Sequence, residues 1–282
     1  MEEIKKKVRD WWNSSPCCSK ITRSSPGTKE FYGEVDFWKD KYESFTNEIA
    51  DYSRWKDKNI LEIGCGLGTD FSRFASAGAR ATGIDMSSRS LELTAKRLEM
   101  FGLKRNLCLA DAENLPFKDN VFDLVFSWGV LHHTPNTQEA INEVYRCLKT
   151  GSGKTIVMLY NKHSLCNLEF SVFSLLGLKG YDLLRKTIRL FIPKKWFSSF
   201  ESSTTRWGNL NKQQLLAAFT DGVGNPLSKV YSYKDARRMF SRYKNISILT
   251  QQPKGGMAAE ILNYLGVLGK RLGWFMVIKA EK

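Results

Sequence analysis

The sequence predicts an α/β fold built on a doubly wound, mostly parallel sheet. From residue 59 onward, short apolar runs alternate with longer amphipathic stretches, which is typical of βα units. The first apolar run leads into a glycine-rich turn at 64–68 and then into a helical pattern. The 282 residues, 42% hydrophobic and 26% charged, suit one large globular domain or two small ones. In such a sheet, ligands bind at the carboxyl ends of the strands.

The order of the elements follows from this alternation. Strands are predicted in the first part of the chain at residues 59–63, 80–84, 107–110, 122–126 and 154–159. Helices are predicted between them at residues 69–77, 87–101 and 137–148. Towards the end of the chain, the pattern predicts a helix at 233–243 and strands at 246–250 and 274–280.

The chain divides into four expected segments. They are an aromatic, helical cap or lid at 1–58, a ligand-binding core at 59–161, a helical insertion after the fifth strand at 162–230, and the completion of the sheet at 231–282. A turn-rich stretch at 13–27 interrupts the cap. The amphipathic stretch 165–200 in the insertion either packs on the core, which we favour, or lies on a membrane surface.

The net charge of +14 is concentrated near the end of the chain. Residues 162–282 carry 20 Lys and Arg against 7 Asp and Glu, whereas the two earlier parts, 1–58 and 59–161, are almost balanced. This asymmetry indicates either a basic face that meets an anionic membrane, lipid-like substrate or phosphate, or an ordinary solvated surface.

The six cysteines include neither a CxxC pair nor Cys/His spacing suited to zinc, so we expect reduced thiols and no metal site. Adjacent Cys17 and Cys18 are either reactive or, as we favour, small and partly buried near a helix end. No stretch reaches the roughly 18 to 20 apolar residues of a membrane span, and the start of the chain lacks the apolar run of a signal peptide. The expected location is the cytoplasm, with peripheral membrane contact left open.

The sharpest local signal is the sequence LEIGCGLGT at residues 61–69. Its glycines can take positive φ angles and let a ligand approach the backbone. The dinucleotide-binding pattern G-x-G-x-x-G would need glycine at position 69, where Thr69 stands. Glu62 also places a negative charge two residues before the first glycine. The pattern therefore favours a cationic ligand over a pyrophosphate.

Two more carboxylates follow strands of the same predicted sheet. Asp85 closes the second strand, where an acid can accept hydrogen bonds from both hydroxyls of a ribose. Asp111 follows the third strand, at a place suited to an adenine amino group. Together with Glu62, these acids converge on one edge of the sheet, which favours a functional site over three unrelated surface acids.

The motifs GCGLGTD, GIDMS, DAENLPF and FDLVFSWGVLHHTPN, in this order, resemble those of class I S-adenosylmethionine-dependent methyltransferases. They are most similar to the small-molecule branch that includes the ubiquinone and menaquinone methyltransferases. The resemblance covers about residues 55–162 and implies a seven-stranded, Rossmann-like sheet that ends in an antiparallel hairpin. Residues 246–250 and 274–280 would supply this hairpin. The implied cofactor is S-adenosylmethionine, with S-adenosylhomocysteine as its product.

The resemblance also implies the positions of the cofactor-binding residues. Glu62 and the turn residues Gly64, Cys65, Gly66 and Gly68 would hold the methionine part of the cofactor. The other implied contacts are Asp85 at the ribose, Met86, Asp111, Ala112 and Glu113 at the adenine, and Ser127 and Trp128 beside the sulfonium.

The implied reaction is displacement of the sulfonium methyl group by a nucleophile, for which positioning supplies much of the catalysis. A base is needed only to deprotonate the acceptor, and the candidates are His132 and His133, one of which is expected to be structural. Tyr160 and Asn161, at the end of the fifth strand, are further candidates for the acceptor pocket. The histidines slightly favour O- or C-methylation over N-methylation of a small, hydrophobic or aromatic acceptor.

Other functions stay open at this point. A methyltransferase could act on RNA or protein through its basic last third, although the chain lacks the Asn/Asp-Pro-Pro-aromatic motif of enzymes that methylate base amino groups. Nucleic acid is therefore the less favoured partner. A protein that binds S-adenosylmethionine or S-adenosylhomocysteine without catalysis is the second alternative. A nicotinamide oxidoreductase is disfavoured by Glu62 and Thr69.

Overall fold

In the part of the chain that the structure describes, one mixed sheet of eight strands lies at the centre. This computed structural model describes residues 1–19, 21–168, 170–171, 216–217, 220–222, 224–254 and 271–282. The strands are β1 (Asn59–Ile63), β2 (Arg80–Asp85), β3 (Leu107–Leu109), β4 (Leu124–Trp128), β5 (Lys154–Asn161), β6 (Val230–Tyr231), β7 (Lys244–Gln251) and β8 (Phe275–Glu281). Their order across the sheet is β3-β2-β1-β4-β5-β8-β7, with β6 paired to β5. The predicted α/β fold is confirmed.

The strand order reverses between β1 and β4. Strand β1 pairs in parallel with β2 on one side and with β4 on the other, and the parallel arrangement continues to β3 and β5. Because the crossovers leave β1 and β4 in opposite directions, a crevice opens at the carboxyl ends of these two strands. The positive-φ glycines Gly64 and Gly129 follow them at this point.

The last two strands run against the rest of the sheet. Strand β8 lies antiparallel between β5 and β7, with Val157 opposite Ile278 in the register. This confirms the antiparallel end that the resemblance implies. Strand β6 adds a parallel pair at Tyr160 and Asn161, which sequence patterns do not predict because two residues are too short to show an alternation.

Seven α-helices around this sheet have both ends within the described residues. They are α1 (Glu2–Ser14), α2 (Lys29–Glu43), α3 (Phe45–Ala50), α4 (Thr69–Ser76), α5 (Ser88–Met100), α6 (Thr137–Cys147) and α7 (Tyr233–Met239). Side-chain oxygens of Thr28, Ser87, Asn136 and Ser232 cap the first turns of α2, α5, α6 and α7 by accepting backbone N–H bonds. The caps of α5, α6 and α7 explain why these three helices begin within one residue of the predicted positions.

The core consists of two layers, one on each face of the sheet. Alternate residues of a strand enter opposite layers, so that Leu61 lies in one cluster and Ile60 in the other. Helices α6 and α7 cover the first face, and α3 and α4 cover the second. The strands therefore have apolar side chains on both faces, as expected for a parallel sheet between helices.

Helices α1 and α2 both dock on α5. Arg97 of α5 is fully buried and donates hydrogen bonds to both carboxylate oxygens of Asp36 in α2. The hydroxyl of Tyr32 donates to the carbonyl of Leu93 at 2.5 Å. The Oδ1 atom of Asn13, in α1, accepts from Ser87 Oγ at 2.9 Å. These contacts hold α1 and α2 over the carboxyl ends of the strands.

Most element boundaries lie within two residues of the predicted ones. The fourth strand begins at Leu124 rather than at 122, because Phe122 forms only an isolated bridge with Leu148. The last helix ends at Met239, four residues early. Most of the expected amphipathic stretch 165–200 lies outside the described residues, as does most of the segment between β7 and β8. Among the described helices, none is long and apolar enough to cross a membrane.

Candidate active site

A cavity of about 410 Å³ opens at the carboxyl ends of β1, β2, β4 and β5. Helices α1 and α2 and the turn around Cys17 and Cys18 cover it from the other side. Most of the predicted site residues line this cavity: Glu62, Gly64, Cys65, Gly66, Asp85, Met86, Asp111, Ala112, Trp128, His133 and Tyr160. Gly68, Glu113, Ser127 and His132 do not line it.

The glycine turn after β1 is tight on one side and open on the other. Gly64 has a φ of +75°, and a Cβ atom there would lie 2.2 Å from Val130 Cγ2. At Gly66, φ is +55°, and a Cβ would meet nothing within 4 Å. The turn therefore needs glycine for its backbone path, and its open side leaves space for a ligand. Gly68 packs closely against α5 on the side away from the cavity, where a Cβ atom would lie 2.8 Å from Thr94 Cγ2.

Glu62 is a buried carboxylate that faces the cavity with one oxygen unpaired. Only 4% of the residue is exposed, and within the described residues its Oε2 atom has no hydrogen-bond partner. Burial raises the pKa of Glu62 well above its usual range, Asp70 raises it further, and the Lys39 charge opposes this. Burial destabilises the negative form of Glu62, and a ligand that brings a positive charge and a hydrogen-bond donor would stabilise it.

Asp85 has both carboxylate oxygens held by the backbone. Oδ2 accepts from the Gly66 N–H and Oδ1 from the Ser87 N–H, both at 2.9 Å. Burial raises the pKa of Asp85 to about 6, although these backbone bonds oppose the shift. A carboxylate has about four acceptor sites, so each oxygen can still accept a hydroxyl from a ligand.

Asp111 lies beneath the N-terminal helix. Lys5 of α1 places its Nζ atom 2.5 Å from Asp111 Oδ2 and 2.7 Å from Glu113 Oε2. Glu113 also accepts the Asn136 N–H at 2.5 Å. Glu113 therefore lies behind the cavity wall, where it orients Lys5 and the loop before α6.

A buried charge network links α2 to the end of β4. Trp128 donates its Nε1–H to Glu43 Oε2 at 3.0 Å. Lys39 lies 3.0 Å from Glu43 and 3.2 Å from Asp70, with its ammonium 5.2 Å from the centre of the Trp128 ring. Burial opposes the charge on Lys39, but Asp70 and Glu43 raise the pKa of Lys39 above its usual value. Ser127 is fully buried and lies outside the cavity lining.

At the end of β5, three polar side chains meet. The Tyr160 hydroxyl donates to Asp221 Oδ1 at 2.8 Å, and His133 Nε2 lies 3.6 Å from the same oxygen. His133 Nδ1 lies 2.6 Å from the Leu227 carbonyl, which can only accept, so Nδ1 carries a proton. Burial opposes ionisation of Asp221, but His133 and Thr220 hold the pKa of Asp221 well below its usual range.

Tyr160 and His132 are less suited to proton transfer. Burial, followed by the charge of Asp221, raises the pKa of Tyr160 well above its usual value, so its hydroxyl remains a donor. His132 is fully buried, and burial lowers its pKa well below the usual value. Its ring packs 3.8 Å from the Tyr160 ring, between centroids. Asn161 is also buried and donates to the carbonyl groups of Arg271 and Gly273.

Several residues of this cavity have no sequence motif. Lys39 and Glu43 are four residues apart on α2, a spacing that indicates a helical ion pair but not its place in the protein. Lys5 and Asp221 carry no signal in the sequence, because their partners lie far away in the chain.

Cys17 and Cys18 are exposed and face the cavity, whereas the sequence pattern favours partly buried residues.

Comparison with known proteins identifies the central part of the chain. Residues 61–156 match the family described as methyltransferase domain. An uncharacterised protein of Methanocaldococcus jannaschii is 33% identical over 147 residues, which cover 50% of this chain and 60% of that protein. A ubiquinone biosynthesis O-methyltransferase of Coxiella burnetii is 29% identical over 180 residues, covering 64% of this chain and 68% of the relative. This chain spans only 24% to 60% of the length of four relatives that are 32% to 35% identical to it.

Solved structures show the same fold. The crystal structure of geranyl diphosphate C-methyltransferase from Streptomyces coelicolor matches with a TM-score of 0.56 at 15% identity, covering 99% of this chain and 98% of that one. At this identity the match shows the fold alone. The motifs, the family match and the sheet topology together identify the central part of this chain as a class I S-adenosylmethionine-dependent methyltransferase domain, with S-adenosylmethionine as its cofactor.

Proposed function

We propose that this chain transfers a methyl group from S-adenosylmethionine to a small acceptor that is hydrophobic or aromatic. One continuous cavity carries the proposal. Its cofactor end is lined by Glu62, Asp85 and Asp111, which follow or lie in β1, β2 and β3. Its acceptor end is lined by His133, Tyr160, Asp221 and the aromatic rings around them, beyond β4 and β5. A donor and an acceptor can therefore lie side by side in a space that α1 and α2 cover.

The residues at the cofactor end fit the parts of the cofactor. The unpaired oxygen of Glu62 is placed to accept a hydrogen bond from the amino group. Asp85 retains acceptor capacity for the two ribose hydroxyls, and Asp111 suits the adenine amino group. When bound, the cofactor supplies an activated methyl group on its positive sulfonium sulfur. Glycine at position 66 leaves the space that this ligand needs.

The acceptor end is largely aromatic. Trp12 of α1 packs edge-on against His133, with 5.3 Å between ring centroids. Trp38 and Tyr42 of α2 stack at 4.9 Å, and Trp128 lies edge-on to Phe275 at 6.0 Å. Such rings favour a flat, apolar acceptor, because both the burial of apolar surface and the stacking of rings stabilise contacts between aromatic groups. Relatives that methylate small molecules, such as the ubiquinone biosynthesis enzyme, agree with this class.

Within this end, we assign His133 the role of base. Its Nδ1–H is used by the Leu227 carbonyl, so Nε2, 3.6 Å from Asp221 Oδ1, is the nitrogen that would take the proton. Asp221, held by Tyr160 and Thr220, would then stabilise the charged imidazole. Tyr160 and Asp221 are positioning residues in this scheme, and His132 is a packing residue. A base is useful for a hydroxyl or an acidic carbon, which favours O- or C-methylation over methylation of a free amine.

Ligand-dependent thermal stability tests the cofactor assignment. The purified chain is melted alone, with S-adenosylhomocysteine, and separately with NAD. At about 100 times its dissociation constant, a ligand stabilises the fold by roughly 2.7 kcal/mol, which raises Tm by a few degrees. We expect this rise with S-adenosylhomocysteine only. A rise with NAD only, or with neither ligand, would contradict the cofactor assignment.

A screen of acceptors tests the catalytic part. Aromatic hydroxyl compounds, apolar carbon acids and amines are each incubated with the chain and S-adenosylmethionine, and release of S-adenosylhomocysteine is measured. We expect release above the acceptor-free rate with hydroxyl or carbon acceptors. Tight cofactor binding without release in any class would instead identify a non-catalytic binding protein.

A further inference from the structure

Cys17 and Cys18 form a pair of free thiols on the wall of the cavity. Their Sγ atoms are 3.6 Å apart, and both residues are exposed and line the cavity. The other cysteines are all buried or half-buried. The function proposed above makes no use of this pair.

The backbone fixes the two thiols in one tight turn. The Ser19 N–H and Ser19 hydroxyl both donate to the Pro16 carbonyl, at 3.0 and 2.7 Å, and Pro16 is itself buried. Cys18 has a φ of +65°, in the left-handed region that glycine adopts more readily. A side chain held in a disfavoured conformation at a ligand cavity points to a use for that side chain.

The sulfur separation favours a shared ligand over a disulfide. A disulfide needs sulfurs about 2.05 Å apart and Cα atoms usually about 4.4 to 6.8 Å apart, whereas Cα atoms of neighbouring residues are only about 3.8 Å apart. Two sulfurs bound to one tetrahedral ion, each at about 2.3 Å, lie roughly 3.8 Å from one another. The observed 3.6 Å is the contact distance of two reduced thiols, and binding one such ion would move the sulfurs apart by only about 0.2 Å.

The sulfur atoms determine which kind of ion can bind here. Thiolate sulfurs select soft ions over hard ones, which prefer oxygen ligands. Within the described ranges, no group of three or more His, Cys, Asp or Glu side chains is arranged to hold a metal ion. An ion held here would therefore have two protein ligands and open positions towards the cavity.

We propose that Cys17 and Cys18 form a dithiol site in the cavity that binds one soft, thiophilic ion or metalloid atom through both sulfurs. This site is independent of the methyl-transfer assignment. Its ligand class comprises thiophilic species that bind two thiolates at a bent angle, such as trivalent arsenic. A ligand bound here occupies the cavity wall formed by the turn between α1 and α2.

Phenylarsine oxide tests the site because its arsenic atom can bind two thiols. The arsenic–oxygen bond breaks, two arsenic–sulfur bonds form, and the oxygen leaves as water with both thiol protons, with no change in oxidation state. The reduced full chain is incubated with the reagent in excess glutathione, which removes adducts held by one thiol, and intact mass is measured. Cys17→Ser and Cys18→Ser are compared with Cys108→Ser, a half-buried thiol outside the cavity.

We expect one adduct per chain in the unmodified protein and in Cys108→Ser. Each of Cys17→Ser and Cys18→Ser should bind at least 100-fold more weakly, since either change leaves one sulfur. An adduct that survives in both of these variants, or one that glutathione strips from the unmodified chain, would overturn the proposal. Because the experiment contains neither methyl donor nor acceptor, its failure is distinct from a failure of the proposed methyl transfer.

Discussion

The two ends of the cavity are built in different ways. At the cofactor end, the polar groups lie in or directly after consecutive parallel strands, and backbone N–H groups hold Asp85 in place. At the acceptor end, the groups come from remote parts of the chain: Trp12 from α1, Glu43 from α2 and Asp221 from the segment before β6. The cofactor end is thus a property of the sheet, whereas the acceptor end depends on how later and earlier segments dock on it.

This difference has a consequence for mutation. A side chain at the cofactor end can be changed with its main functional effect on ligand affinity, because the sheet keeps its neighbours in position. At the acceptor end, contacts such as that between Glu43 and Trp128 hold both the helix and the cavity wall. Changes there are expected to alter turnover while the affinity for S-adenosylhomocysteine stays constant.

The largest expected effect is at His133. His133→Ala removes the proposed base, so turnover on a hydroxyl acceptor found by screening should fall by about 10² to 10⁴. Affinity for S-adenosylhomocysteine, measured by calorimetry, should change less than about twofold, and added imidazole should restore part of the rate. His163→Ala is the matched control, since His163 is exposed and does not line the cavity. Equal turnover in the two variants would remove His133 from the reaction.

The cofactor end was predictable because strand ends have fixed places in a parallel sheet. Glu62, Asp85 and Asp111 each lie in or next to an apolar run, so their convergence follows from the order of the runs alone. The glycine turn was predictable for a related reason, since the positive φ of Gly64 requires the residue type that the motif shows.

The acceptor end was only partly predictable. Its histidines and Tyr160 follow predicted strands, but no periodicity indicates that Asp221 approaches Tyr160 across 61 residues. Two adjacent histidines also look alike in sequence. The structure distinguishes the two side chains, because the turn at Leu131–His133 directs His133 to the cavity and buries His132 against Tyr160. Such differences arise from tertiary packing, which local patterns do not encode.

An intermediate effect is expected at Asp85, and it depends on pH. Hydroxyl donors favour the charged carboxylate, whose pKa in the folded protein is about 6. Affinity for S-adenosylhomocysteine should therefore fall as pH drops below about 6, by up to tenfold per pH unit. Asp85→Asn should bind about 10 to 100 times more weakly at pH 8, because hydrogen bonds to a charged group are lost. Its affinity should also lose the part of the pH dependence that Asp85 contributes.

The stability of the ligand-free protein has the opposite pH dependence at this residue. A carboxyl whose pKa is raised on folding adds stability below its unfolded pKa, about 4, and that stability is lost as pH rises through about 6. Glu62 acts in the same direction, because burial also raises its pKa. Calorimetric titrations and urea unfolding between pH 5 and 8 separate the two effects. Identical pH dependence of affinity in Asp85→Asn and the unmodified chain would contradict the ribose assignment.

The smallest expected effect is at Lys5, which links the covering helix α1 to the cofactor end of the cavity. Lys5 belongs to α1 but pairs with Asp111 and Glu113 at the cofactor end, so it ties the covering helix to the sheet. Lys5→Met removes a partly buried ion pair worth about 1 kcal/mol, which should speed dissociation of S-adenosylhomocysteine about fivefold. Lys7→Met is the matched control, because Lys7 lies on the same helix and pairs only with the exposed Glu3 among the described ion pairs. Stopped-flow tryptophan fluorescence measures both rates. If the two variants release the ligand equally fast, α1 does not hold the cofactor end closed, and cofactor retention would rest on the sheet residues alone.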